Sequence, residues 1–143
     1  MLTAIALSAA LAQSPEQVIE DIQRSHIEGH VPAAADFARL LSRDLTKHLT
    51  TLRGKALRTE HELLRDGPTQ SGVAYPKFYV WVRVFQDKSL VEEGAARVAA
   101  VERKAFEVTN YVEAKAIRAD PDKLNQVFPL PVAEKIKARL GIK

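Results

Sequence analysis

The sequence predicts an α+β fold: two N-terminal helices packed on a roughly four-stranded antiparallel sheet, with short helices closing the chain. Three observations predict it. Tyr75–Phe85 (YPKFYVWVRVF) alternates strictly, with Phe78, Val80, Val82 and Val84 on one side and Tyr79, Trp81, Arg83 and Phe85 on the other. That is the period of a strand with one wholly apolar face. Upstream lie two stretches whose apolar residues recur at helical spacing. Downstream, residues 106–112 have strand composition, and the central strand needs neighbours because its backbone groups must be paired and two strands alone are marginal.

The first helix starts at Ser14-Pro15-Glu16-Gln17, where serine caps, proline fits the first helical position and Gln17 completes a capping box. Val18, Ile19, Ile22 and Ile27 form its apolar stripe, ended by Gly29 and Pro32. A second helix is expected from about Ala33 to Arg53 on a spine of Phe37, Leu41, Leu45, Leu49 and Leu52, with Gly54 as its C-terminal cap. The two make a helical hairpin whose greasy side needs the sheet as partner. Lys55–Leu64 is expected as a strand and residues 65–72 as turn chemistry built on Asp66-Gly67-Pro68 and Gly72. After the Tyr75–Phe85 strand, Gln86–Ser89 reads as a turn.

Residues 90–117 carry two periods at once. Val91, Ala95, Val98, Val101, Ala105, Val108 and Val112 fit one long helix. Gly94 interrupts that helix, however, its length would far exceed the usual ~11–12 residues, and residues 106–112 have strand composition. Strands at Leu90–Glu102 and Ala105–Glu113 are therefore expected, although Arg103-Lys104 lacks the glycine or asparagine that a tight hairpin prefers. Asp120-Pro121 opens a short helix to about Val127. Phe128-Pro129-Leu130-Pro131 reads as a stiff link, and a last helix carries Val132, Ile136 and Leu140 up to Gly141.

A chain of 143 residues with 46% hydrophobic and 27% charged residues is sized for one domain with a real core. It has no cysteine, which excludes disulfides, thiolate metal sites and cysteine nucleophiles. Met1–Ala12 (MLTAIALSAALA) has no charged side chain and ends in a small-x-small signature before Gln13. That pattern predicts a signal peptide over residues 1–12, a single α+β domain over 13–143, and a periplasmic or secreted location. Nothing else approaches the ~20 apolar residues of a membrane span, so no stable membrane insertion is expected. The net charge is only +3, and the basic run Arg39, Arg43, Lys47, Arg53, Lys55 and Arg58 is broken by Asp44 and Glu60. It reads as a solvated helix face, and no nucleic-acid partner is expected.

The chemistry-bearing residues form no recognisable catalytic pattern. His26 and His30 are four apart, a metal-ligand spacing, but no glutamate completes an H-E-x-x-H motif and they read as helix-end histidines. His48 reads as a half-buried packing residue, and His61 between Glu60 and Glu62 as a strand residue whose neighbours face the other way. There is no nucleophile elbow, phosphate loop or dinucleotide fingerprint. No metal and no cofactor are expected.

The order of two helices followed by antiparallel strands resembles the cystatin-like and nuclear-transport-factor-2-like layouts. The run from Leu64 through Asp66-Gly67-Pro68, Tyr75-Pro76-Lys77 and Trp81 is similar to small exported bacterial proteins of uncharacterised function. Neither resemblance brings functional residues with it.

Two function readings follow. The first is a non-enzymatic module that binds a protein partner, or itself as a homodimer, through Tyr79, Trp81, Arg83 and Phe85, because aromatic residues with arginine are the composition of interface centres. In a monomer, Phe128 and Leu130 of the C-terminal segment would fold over that row instead. The second is a lyase or isomerase with a pocket between helices and curved sheet, drawing its ionisable group from His48, His61 or Glu60.

Overall fold

A computed structural model describes residues 14–143; the expected signal peptide at Met1–Ala12 lies outside the described residues. Helix α1 (Pro15–His30) is capped as its sequence demands, with the Ser14 hydroxyl accepting the Gln17 N–H at 3.2 Å. Helix α2 (Ala34–Arg53) ends at Gly54, whose φ of 69° is the left-handed cap. Four strands follow, β1 (Arg58–Leu63), β2 (Lys77–Gln86), β3 (Ser89–Val101) and β4 (Ala105–Glu113). They form one antiparallel meander in the order β1-β2-β3-β4. The expected α+β class is what the chain adopts, and residues 90–113 are two strands and not one helix.

The sheet is covered on both faces. On the inner face Phe78, Val80, Val82 and Val84 of β2 meet Leu41, Leu45 and Leu49 of α2, together with Ala96, Val98 and Phe106. Each fully buried aliphatic side chain contributes roughly 1.5–3 kcal/mol, so this layer dominates stability. On the outer face Tyr79, Trp81 and Ala95 lie under the C-terminal segment. That segment is built from α3 (Ala114–Ala119), a 3₁₀ turn (Pro121–Gln126) and α4 (Leu130–Leu140). It supplies Ile117, Leu124, Phe128, Val132, Ala133 and Ile136. Helix α3 follows β4 directly, and the sequence reading missed it. The stretch AKAIRA is too short to show a period.

The two N-terminal helices are unlike in their packing. The α2 stripe is buried; α1 contributes no buried residue, and Val18, Ile19 and Ile22 of its stripe stay exposed. The other departure is the β3–β4 turn. Glu102 and Arg103 adopt φ of 51° and 62°, left-handed values that cost an L residue about 1–2 kcal/mol each. The end of α1 holds this turn. His30 Nδ1 accepts the Glu102 N–H at 3.0 Å, and the His30 carbonyl accepts the Arg103 N–H at 2.8 Å.

Candidate functional site: the open half of the outer sheet face

Helix α4 lies over only part of the outer face. Its Ile136 and Val132 bury Tyr79 and Trp81, its Lys135 Nζ donates to the Leu64 carbonyl at 3.0 Å, and its Arg139 guanidinium sits 5.3 Å over the Trp81 ring while donating to Glu62. Arg139 marks the edge of the cover. Beyond it the same face is open to solvent.

Register sets what stands there. Glu60 of β1 is opposite Arg83 of β2, and Arg83 is opposite Glu93 of β3. Antiparallel partners share a face, so these three form one row of alternating charge. Arg83 donates to Glu60 at 3.4 Å, Arg58 lies 3.3 Å from the same carboxylate, and Glu93 accepts the Trp81 indole N–H at 3.3 Å. The next row pairs Arg58 with Phe85, and the guanidinium stacks 4.4 Å from the ring centroid. A bulge shifts the β2–β3 register after Val84, so that Phe85 is opposite Leu90 and Val91 is the extra residue. Leu90 and Val91 are left 49% and 45% exposed.

Two depressions lie near this row, and Arg83 lines the first. One of about 190 Å³ is lined by Glu60, His61, Glu62, Trp81, Arg83 and Arg139. The other, about 330 Å³, lies between Val91 and Glu93 on β3 and Lys115 and Arg118 at α3. The carboxylates and guanidiniums of the first are paired with one another.

The four sequence-derived site residues are thus divided. Tyr79 and Trp81 are 4% and 2% exposed beneath the chain's own helices. Phe128 packs edge-on to Tyr79 with ring centroids 6.0 Å apart, whereas Leu130 is exposed. Arg83 and Phe85 remain at the surface. Arg58, Glu60, Glu93 and Val91 join them there. The alternation of β2 gave no signal for these, because they arrive from neighbouring strands through register.

Of the ionisable groups considered for an enzyme, Glu60 and His61 line the same small depression and His48 stands apart from them. Glu60 is on the outer face. His61 points inward from β1, where Ser42 Oγ of α2 is 3.3 Å from its Nδ1, and burial pushes its pKa down. His48 is on α2, in a groove of about 380 Å³ against β4 with Asp44, Lys47 and Phe106. Between α2 and the sheet, Leu41, Leu45, Leu49, Val80, Val82 and Val84 are fully buried. His26 and His30 stack with ring centroids 6.0 Å apart. No group of three or more His, Asp or Glu among the described residues is arranged to hold a metal ion, and no described helix is long and apolar enough to cross a membrane.

Comparison with protein-family models, with curated proteins and with solved structures finds no match.

Proposed function

We propose that this chain is a small exported, non-enzymatic domain that associates with a second copy of itself through the open half of its outer sheet face. The observation that carries the reading is the balanced row at that face. Arg58 and Arg83 alternate with Glu60 and Glu93 beside Phe85, Leu90 and Val91. A two-fold contact puts the same patch on both partners, so the patch must complement itself. Equal numbers of guanidinium and carboxylate groups beside an apolar centre do so, since a two-fold axis passing between Arg83 and Glu60 sets each arginine against the partner's glutamate. Aromatic residues and arginine are also the residue types enriched at interface centres.

Sedimentation velocity over about a hundredfold range of concentration tests this. The wild type is expected to shift from monomer towards dimer. Arg83→Glu combined with Phe85→Ala is expected to weaken association at least about tenfold, ~1.4 kcal/mol, with far-UV circular dichroism unchanged. An Arg58→Glu/Arg83→Glu variant mixed with a Glu60→Arg/Glu93→Arg variant is expected to recover dimer that neither forms alone. A wild type that remains monomeric throughout refutes the reading.

Export rests on Met1–Ala12, an uncharged apolar run with a small-x-small end. N-terminal sequencing of the protein recovered from an expressing bacterium is expected to start at Gln13. An intact Met1 in the cytosol would count against it.

A further inference from the structure

We propose that His30 is a proton-operated latch that holds α1 to the β3–β4 turn. Helix α1 has no buried residue along its 16 positions, so side-chain burial does not fix its direction. Its C-terminal end is what joins it to the rest of the chain. There the Glu102 N–H donates to His30 Nδ1 at 3.0 Å, the Arg103 N–H donates to the His30 carbonyl at 2.8 Å, and the Arg103 guanidinium reaches the Glu28 carbonyl at 3.4 Å. The His30 ring also meets Tyr75 edge-on, with centroids 4.8 Å apart.

The first of these bonds dictates a protonation state. A ring nitrogen that accepts an N–H carries no proton, so the imidazole must be neutral with its proton on Nε2. Protonation converts Nδ1 from acceptor to donor and sets it against the Glu102 N–H. The bond is lost, and the amide of a residue already in the left-handed region loses its partner. The surrounding groups do not restore it. His26 stacks on the ring from α1 and adds like charge when it too is protonated. Tyr75 meets the ring edge-on and its ring supplies no acceptor to the Glu102 amide. From the turn, Arg103 opposes an imidazolium, while the Glu102 carboxylate, like that of Glu28 on α1, favours it. Neither carboxylate supplies an acceptor to the Glu102 amide, whose bond is to Nδ1. Histidine is the side chain suited to such a switch between about pH 8 and pH 5. The two oddities of the sequence, a histidine at the helix end and a hairpin turn without glycine, meet in this one contact.

Amide hydrogen exchange on the full chain tests the latch, read as protection factors so that the intrinsic pH dependence of exchange cancels. Between about pH 7.5 and pH 5 the wild type is expected to lose about tenfold or more in protection at the Glu102 amide and across α1, while β2 holds. His30→Asn, whose side-chain oxygen accepts but does not titrate, is expected to keep protection at both pH values. His30→Phe, which keeps a ring against Tyr75 and has no acceptor, is expected to be open at both. His26→Asn should retain the wild-type response. The latch is overturned if wild-type protection at Glu102 does not change with pH. It is equally overturned if His30→Asn opens on acidification as the wild type does, or if β2 loses protection in parallel with α1.

Discussion

Glu92 is where three elements are tied together. Arg53 at the end of α2 donates to both of its oxygens at 2.8 Å, and the Tyr111 hydroxyl from β4 donates at 2.7 Å. Gly94 makes this possible, because a Cβ there would stand 2.7 Å from the Tyr111 ring and from the Val112 carbonyl oxygen. The bidentate Arg53 contact, against the opposing effect of burial and with help from Tyr111, holds the Glu92 carboxyl below the usual range. Burial first, then Glu92, pushes the Tyr111 phenol up. The sign for Glu92 follows: its folded-state pKa is lower than its unfolded one, so its contribution is complete above the ordinary carboxylate range and is lost as pH falls through the lowered value. Glu92→Gln is expected to lower stability by about 1.5–3 kcal/mol at neutral pH, the range for hydrogen bonds to a charged group. In urea unfolding, the gap between variant and wild type should shrink from about pH 7 to pH 3. A gap that stays constant or widens would show that Glu92 is not held this way. None of this was legible in the sequence, where Gly94 served only as an argument against a helix and Tyr111 as strand composition.

At the scale of elements, local signals were read well and burial was not. Capping residues fixed α1 and α2 because Ser14 and Gly54 act on their own backbone neighbours. The strict alternation of β2 placed Val80 and Trp81 on opposite faces, as found. Yet the stripes of α1 and α2 look alike in sequence, and only α2 is buried. A period says that a helix has an apolar side; it does not say that the chain supplies the surface to cover it. The β3–β4 turn shows the same limit from the other direction. Turn chemistry argued against a tight connection at Arg103-Lys104, and a contact from His30, 72 residues from Glu102, supports it. The site was legible to the same degree. Arg83 and Phe85 were placed by alternation, whereas Arg58, Glu60 and Glu93 needed the register of three strands.

For the whole molecule the deciding question is what covers the outer face. The sequence left three occupants for the row Tyr79, Trp81, Arg83 and Phe85, the chain's own tail, a second copy or another protein, and the tail covers only Tyr79 and Trp81. Helix α4 supplies the cover at one end through Val132, Ala133 and Ile136, all at 0–1% exposure. Near its end Arg139 lies over the Trp81 ring, and the surface proposed for self-association lies beyond it. The proposed dimer therefore rests on α4 being in place: without it the apolar face would run on from Phe85 through Trp81 to Tyr79, too long a patch for a stable, specific contact. Ile136→Ala is expected to cost about 2–5 kcal/mol while leaving the native emission of Trp81, the chain's one tryptophan, unshifted. Ending the chain at Pro129 removes several such side chains, a loss comparable with the whole ~5–15 kcal/mol of a small domain. Its expected signature is red-shifted Trp81 emission, a broadened unfolding transition and concentration-dependent aggregation. A truncated chain that kept blue emission and a sharp transition in dilute solution would mean that α4 is not what shields Trp81. Blue emission regained only at high concentration would assign the shielding to a second copy and extend the interface over the whole face.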